Sequence, residues 1–278
     1  MGNNTDLIET GQPSISIGHA FMILGILFAI TIPVSIIGTA SANIIGTHTN
    51  ITSSKAIQWM NLIGYALPFV LTILWAKQCQ NLKITDTKSI KPSILIIGFM
   101  LIVTIGIISE WISSLIPMPE FIAEIFKNAI TLDLAGYLTV AIAAPICEEC
   151  LFRGIILSAL LRRYSPRKAI IWSAIIFGIA HLNPWQFIAA FLIGCAIGWL
   201  FWRTKSIWPG IFMHWLNNSA AFAIGYATGD INTSPTEWFG GPVSNAIILV
   251  CCILATFFIY KIAEQKFAQK DCAQKHTD

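Results

Sequence analysis

Hydrophobic positions along this chain do not alternate with polar ones; they run on in blocks broken by short polar or basic stretches. Such blocks are far longer than strands and lack a period of two, so they predict helices. About 20 consecutive apolar residues cross a bilayer core, and eight blocks approach that length: roughly 18–45, 56–76, 92–116, 134–161, 168–183, 185–202, 207–226 and 243–260. The first contains Pro33 and the small-residue run GTASAN, where a kink or an early end is expected. "HLNPW", from His181 to Trp185, marks a tight turn between the fifth and sixth. Between the third and fourth, PMPEFIAEIFKNAITLD is too polar to span and suits a helix lying in the interface. No internal repeat or low-complexity tract interrupts the pattern.

The 278 residues are 55% hydrophobic and 11% charged, well short of the roughly 25% charged residues of soluble domains. This predicts an all-α, polytopic membrane bundle of about eight transmembrane helices, residues 1–278 forming one integral membrane domain. The net charge of +3 is small and says little about nucleic acid, which is not an expected partner. Its distribution says more. Basic residues gather at Lys77–Lys91, Arg162–Lys168, Arg203–Lys205 and from Lys261 onward, against Lys55 and Lys127 on the opposite side. By the positive-inside rule both termini are cytoplasmic. No basic region precedes the first apolar run, so that helix is expected to be retained rather than cleaved as a signal peptide. The shortness of the chain suggests a bacterial cytoplasmic membrane. Seven cysteines, several within apolar helices, argue against a disulfide framework.

One basic residue falls outside this scheme: Arg153, within the fourth helix, which also carries Glu148 and Glu149. Charges at membrane depth are costly and mark a partner or a cavity. Glu149 and Arg153, four apart, share a face and neutralise each other. Glu148 points about 140° away from Arg153 and has no partner on its own helix. Other polar residues reach a similar depth. His181 lies 14 residues from the basic Arg167, as Glu148 does from Arg162, or about 21 Å at 1.5 Å per residue. His214 and Asn218 lie about 14 and 20 Å from Lys205. Phe177 shares a face with His181, and His214 with Asn218. Geometry permits one shared site.

EE…R at Glu148, Glu149 and Arg153, F…H at Phe177 and His181, and H…N at His214 and Asn218 resemble the EExxxR, FxxxH and HxxxN motifs of the CAAX protease and bacteriocin-processing (Abi) family of intramembrane endopeptidases, related to the Ras-converting enzymes. The resemblance covers about residues 134–222, expected to be the catalytic core, and implies a peptidase acting on a membrane-associated peptide or protein through a glutamate-dependent mechanism. A carboxylate without a local cation is a competent base for water; Glu148 takes that part, with His181 positioning or deprotonating the water. His214 and Asn218 would donate to the oxyanion, and Glu149, Arg153 and Phe177 would support the site. No cofactor is required. Zinc is the alternative, with Glu148, His181 and His214 as the ligand set, although the two histidines lack HExxH spacing. Cys147 and Cys150 flank the glutamates as CEEC and read as packing residues rather than a redox pair. Two other function classes compete: a silent scaffold or immunity protein of the same fold, and a proton-coupled transporter.

Overall fold

A computed structural model describes residues 13–48, 53–84, 91–129, 131–229 and 240–275. Among these residues every regular element is helical. In chain order they are α1 (Ile17–His48), α2 (Ser53–Cys79), α3 (Pro92–Ser113), α4 (Glu120–Ala129), the composite α5 (134–161), α6 (Pro166–Ile179), α7 (Pro184–Thr204), α8 (Trp208–Thr228) and α9 (Pro242–Lys275). All eight apolar blocks are therefore helical. The polar stretch before the fourth block holds the ten-residue α4.

The boundaries follow local chemistry. Proline, with no N–H to lose and a helical φ, opens α3, α6 and α7 in their first turns. Asn183 caps α7 by accepting the Gln186 N–H at 2.8 Å. At the other end of α7, Lys205 adopts φ +56 and returns its N–H to the Phe201 carbonyl at 2.7 Å. Pro33 does not end α1, which continues through it to His48.

Among the described residues five helices are long and apolar enough to cross a membrane: α1, α2 from Lys55, α3, α7 and α9 to Gln269. The other three expected spans fall short in length or apolarity. One of them, α6, has only 14 residues. Another, α8, is long enough but carries His214, Asn217, Asn218 and Ser219. And α5 is broken into pieces: α-helical turns at Leu134–Tyr137, Ala144–Glu149 and Ser158–Leu161 alternate with π-helical turns at Leu138–Ala143 and Cys150–Leu157. Of these helices, α5 bears Glu148, Glu149 and Arg153, α8 bears His214 and Asn218, and α6 bears Phe177 and leads into His181.

They also form the centre. Residues 151–161 of α5 are all buried, packed against α6 and α7, while 138–149 lie against α2 and α8. Outward, α1 pairs with α2, and α3 packs on α7, α8 and α9. The outer helices expose large apolar side chains, among them Ile32, Ile36 and Ile37 on α1 and Val243, Ile247 and Val250 on α9. An apolar exterior around a core containing Arg153 and Glu149 reverses the soluble pattern; with the five long apolar helices it describes an integral membrane protein. Cysteines play no cross-linking part, all seven being free thiols.

Candidate active site

Glu148 and Glu149 sit at the end of a six-residue α-helical segment between two π-helical turns. Single π turns inside α-helices recur at functional sites because they displace side chains from the regular register. Side-chain donors here take up carbonyls in and around these turns. Thr139 donates to Ala135 O at 2.8 Å, Asn218 to Val140 O at 2.8 Å, Ser158 to Gly154 O at 2.6 Å and Ser173 to Phe152 O at 3.4 Å.

Glu149 points into the protein and is fully buried. Its Oε1 accepts from Arg153 Nη1 at 2.8 Å and lies 3.1 Å from His214 Nδ1. The expected pair within α5 is therefore present, and a histidine from α8 joins it. Arg153, 1% exposed, also donates to the Gly194 carbonyl of α7 at 3.3 Å, and its guanidinium lies 4.4 Å from the centre of the Phe177 ring. Two glycines make this packing feasible. A Cβ at Gly194 would meet Arg153 Nη2 at 3.3 Å, and one at Gly210 would meet Glu149 Oε2 at 2.9 Å and Ile197 Cγ2 at 2.6 Å.

Glu148 turns the other way, toward α2 and α8. Tyr65 of α2 donates its hydroxyl hydrogen to Glu148 Oε1. Oε2 is buried and accepts no hydrogen bond, with His214 Nε2 at 3.8 Å. His214 thus spans the two carboxylates, Nδ1 on Glu149 and Nε2 toward Glu148. A carboxylate can only accept, so Nδ1 carries the hydrogen; Nε2 carries a second one only in the imidazolium form.

His181 lies beyond the helix on which the sequence pattern placed it. The helix stops at Ile179, and a tight turn follows, in which the His181 N–H reaches Gly178 O at 3.1 Å. The aromatic pairing survives this shift. Phe177 O accepts from His181 Nδ1 at 2.9 Å, which fixes the tautomer and leaves Nε2 as a lone pair in the neutral ring. Phe177 is the hub of the arrangement. His181 and His214 both meet its ring edge to face, at 5.1 and 5.8 Å between centroids, and Phe152 packs on it at 5.0 Å.

Asn218 stands one turn beyond His214 on α8. Its hydrogen bonds run to the Val140 carbonyl and to Asn217 rather than to either glutamate. One amide hydrogen is committed to Val140, and the amide holds a second. Nearby, Trp215 Nε1 donates to Tyr137 OH at 3.3 Å, which also meets Ser219 Oγ at 3.3 Å, so Trp215 ties α8 to the start of α5. The alternative zinc set, Glu148, His181 and His214, does not gather into a ligand cluster; among the described residues no three His, Cys, Asp or Glu side chains do.

Sequence reasoning missed Tyr65, Gly194 and Gly210. The one available signal for Tyr65 was its position as the sole tyrosine before residue 137, inside an apolar span.

Comparison with known proteins bears on the same region. Residues 130–220 match the family model described as "Type II CAAX prenyl endopeptidase Rce1-like". The protein described as "Putative membrane peptidase YdiL" of Bacillus subtilis (strain 168) is 37% identical over 79 residues, which are 28% of this chain and 32% of that relative. The alignment therefore spans about a third of that relative's length. No solved structure matches the chain significantly. The segment holding Glu148, Glu149, Arg153, Phe177, His181, His214 and Asn218 is similar to the Rce1-like CAAX prenyl endopeptidases, the family that its three motifs resemble.

Proposed function

We propose that this protein is an intramembrane endopeptidase that hydrolyses a peptide bond of a membrane-associated peptide or protein. The observation that carries the reading is the state of Glu148: one carboxylate oxygen held by Tyr65, the other buried without a hydrogen bond beside His214. A buried carboxylate oxygen without a donor is costly, and a water bound there would satisfy it while standing next to His214.

In this mechanism a water is held between Glu148 Oε2 and the Nε2 lone pair of His181. Glu148 accepts a proton from it while its oxygen adds to the carbonyl carbon. The resulting oxyanion accepts from the second amide hydrogen of Asn218 and from Nε2–H of His214 in its imidazolium form. Collapse breaks the C–N bond, and Glu148 returns its proton to the leaving amine. Glu149, Arg153 and Phe177 keep the two histidines in place. No step uses a metal; were zinc present, Glu148, His181 and His214 would have to close around it. The proposed setting is a bacterial cytoplasmic membrane, with all eight apolar helices crossing it and both termini in the cytoplasm.

The test is a terminal-peptide mass-spectrometry comparison of cells carrying wild type and Glu148→Ala at equal, folded levels. New termini that appear with wild type alone are expected, and they identify the substrate. Matching samples would turn the assignment toward a silent scaffold of the same fold.

A further inference from the structure

Tyr65 belongs to α2, outside the segment that matches the peptidase family, and 83 residues from the carboxylate it touches. It sits in the apolar stretch NLIGYALPF, in which Leu67 is exposed on the apolar exterior while Pro68 and Phe69 are buried. Phe69, one turn on, packs against its ring at 5.4 Å. The hydroxyl has one hydrogen, and that hydrogen goes to Glu148 Oε1. Without it Glu148 would be a buried carboxylate with neither oxygen hydrogen-bonded, free to rotate about its terminal torsion, which is broad for such groups. With it the two oxygens are no longer equivalent: Oε1 is anchored, and Oε2 is directed toward His214 Nε2 and the space beside the Phe177 hub.

We propose that Tyr65 is a positioning residue for the reaction, which selects Glu148 Oε2 as the oxygen that takes the water proton and makes the α1–α2 hairpin part of the active site. This rests on the endopeptidase reading above. Tyr65 neither gives up nor gains a proton in the cycle; its hydroxyl keeps donating to Oε1 as Oε2 is protonated and deprotonated.

Two measurements on the purified full-length protein test this. In infrared difference spectra, wild type minus Glu148→Gln isolates the bands of the Glu148 carboxyl group. Tyr65→Phe, which removes the hydroxyl alone, is expected to shift those bands. 3-Fluorotyrosine at position 65, a stronger donor of nearly the same shape, is expected to shift them in the opposite sense. Phe69→Leu, which changes packing but keeps the hydroxyl, should leave them in place. Bands indifferent to both changes at position 65 would overturn the proposal whatever the activity. The second measurement is turnover of a quenched peptide built on a cleavage site mapped with wild type. Tyr65→Phe should lower kcat by about tenfold to a hundredfold, the effect of a misplaced reacting group, with KM nearly unchanged. An unchanged kcat would overturn positioning while leaving the endopeptidase assignment intact. Full activity in Glu148→Gln would instead remove Glu148 as the base, and with it the mechanism on which this inference rests, and the infrared result would still report whether Tyr65 holds the carboxylate.

Discussion

Asn218 donates an amide hydrogen to the carbonyl of Val140 across 2.8 Å, joining α8 to the first π-helical turn of α5. The residue expected to face an oxyanion is therefore also a structural tie, at the turn that leads into Glu148. Asn218→Ala should remove both contributions. Loss of one oxyanion donor costs about 10²–10³ in kcat, and the tie adds a structural signature. Hydrogen exchange across Leu138–Ala143 should accelerate in the variant. A fall in kcat with unchanged exchange would leave Asn218 as a donor alone.

Glu149 and Arg153 form a buried pair whose members depend on each other. Removing one strands a charge in the core, at a cost of about 3–5 kcal/mol. Arg153→Met and Glu149→Leu should each lower the thermal midpoint sharply in detergent. The double variant should recover much of that loss, because buried pairs exchange for apolar residues at little net cost. It should not recover activity, since His214 Nδ1 would have lost its acceptor. A double variant as unstable as either single one would argue that the pair itself holds the fold.

What could be read from the chain and what could not divide along physical lines. Apolar blocks announce helices because length and lack of alternation suffice, and all eight were found. Glu148, Glu149, Arg153, His181, His214 and Asn218 stood out because polar residues in apolar runs are costly. The π turns were invisible: Leu138–Ala143 and Cys150–Leu157 are composed like any apolar helix, and their register depends on partners such as Asn218 and Ser173 on other helices. For His181 the sequence supports both the face of the fifth helix and the start of the tight turn HLNPW; the turn is what the structure shows, set by Asn183 capping the next helix, while the helical face is suggested by the apolar pattern running through Ile179 and Ala180. Tyr65 escaped because a tyrosine in an apolar span ordinarily reads as packing or an interface anchor, and its partner is remote in sequence.

Gly210 offers a test independent of the motifs. Its missing side chain admits Glu149 Oε2 and Ile197 against the first turn of α8. Gly210→Ala would press a methyl group into both, and overpacking of this kind costs about 1–3 kcal/mol. Moving Glu149 also moves the acceptor of His214, so kcat should fall although residue 210 itself has no chemistry. Gly198→Ala is the comparison. It crowds Ile170, whose Cγ2 an added Cβ would meet at 3.2 Å, and Leu157, not the glutamates. Equal stability losses with activity lost chiefly in Gly210→Ala would separate the local effect from general destabilisation.

Metal dependence can be decided by titration rather than by ligand geometry. Zinc would need Nε2 of both histidines together with Glu148, and His214 Nε2 would then be taken from the oxyanion. The water mechanism needs those same atoms free. Expected is cleavage that persists in protein purified with chelator to zinc content far below one equivalent, with no gain on adding zinc back. Glu148→Gln should be inactive in either case and so cannot discriminate. The zinc content of Glu148→Gln can: a catalytic ligand set that loses its carboxylate loses affinity, whereas a base that never touches metal leaves the content of wild type and variant equal. Activity that rises and falls with bound zinc would make Glu148 a ligand and transfer the base to another group.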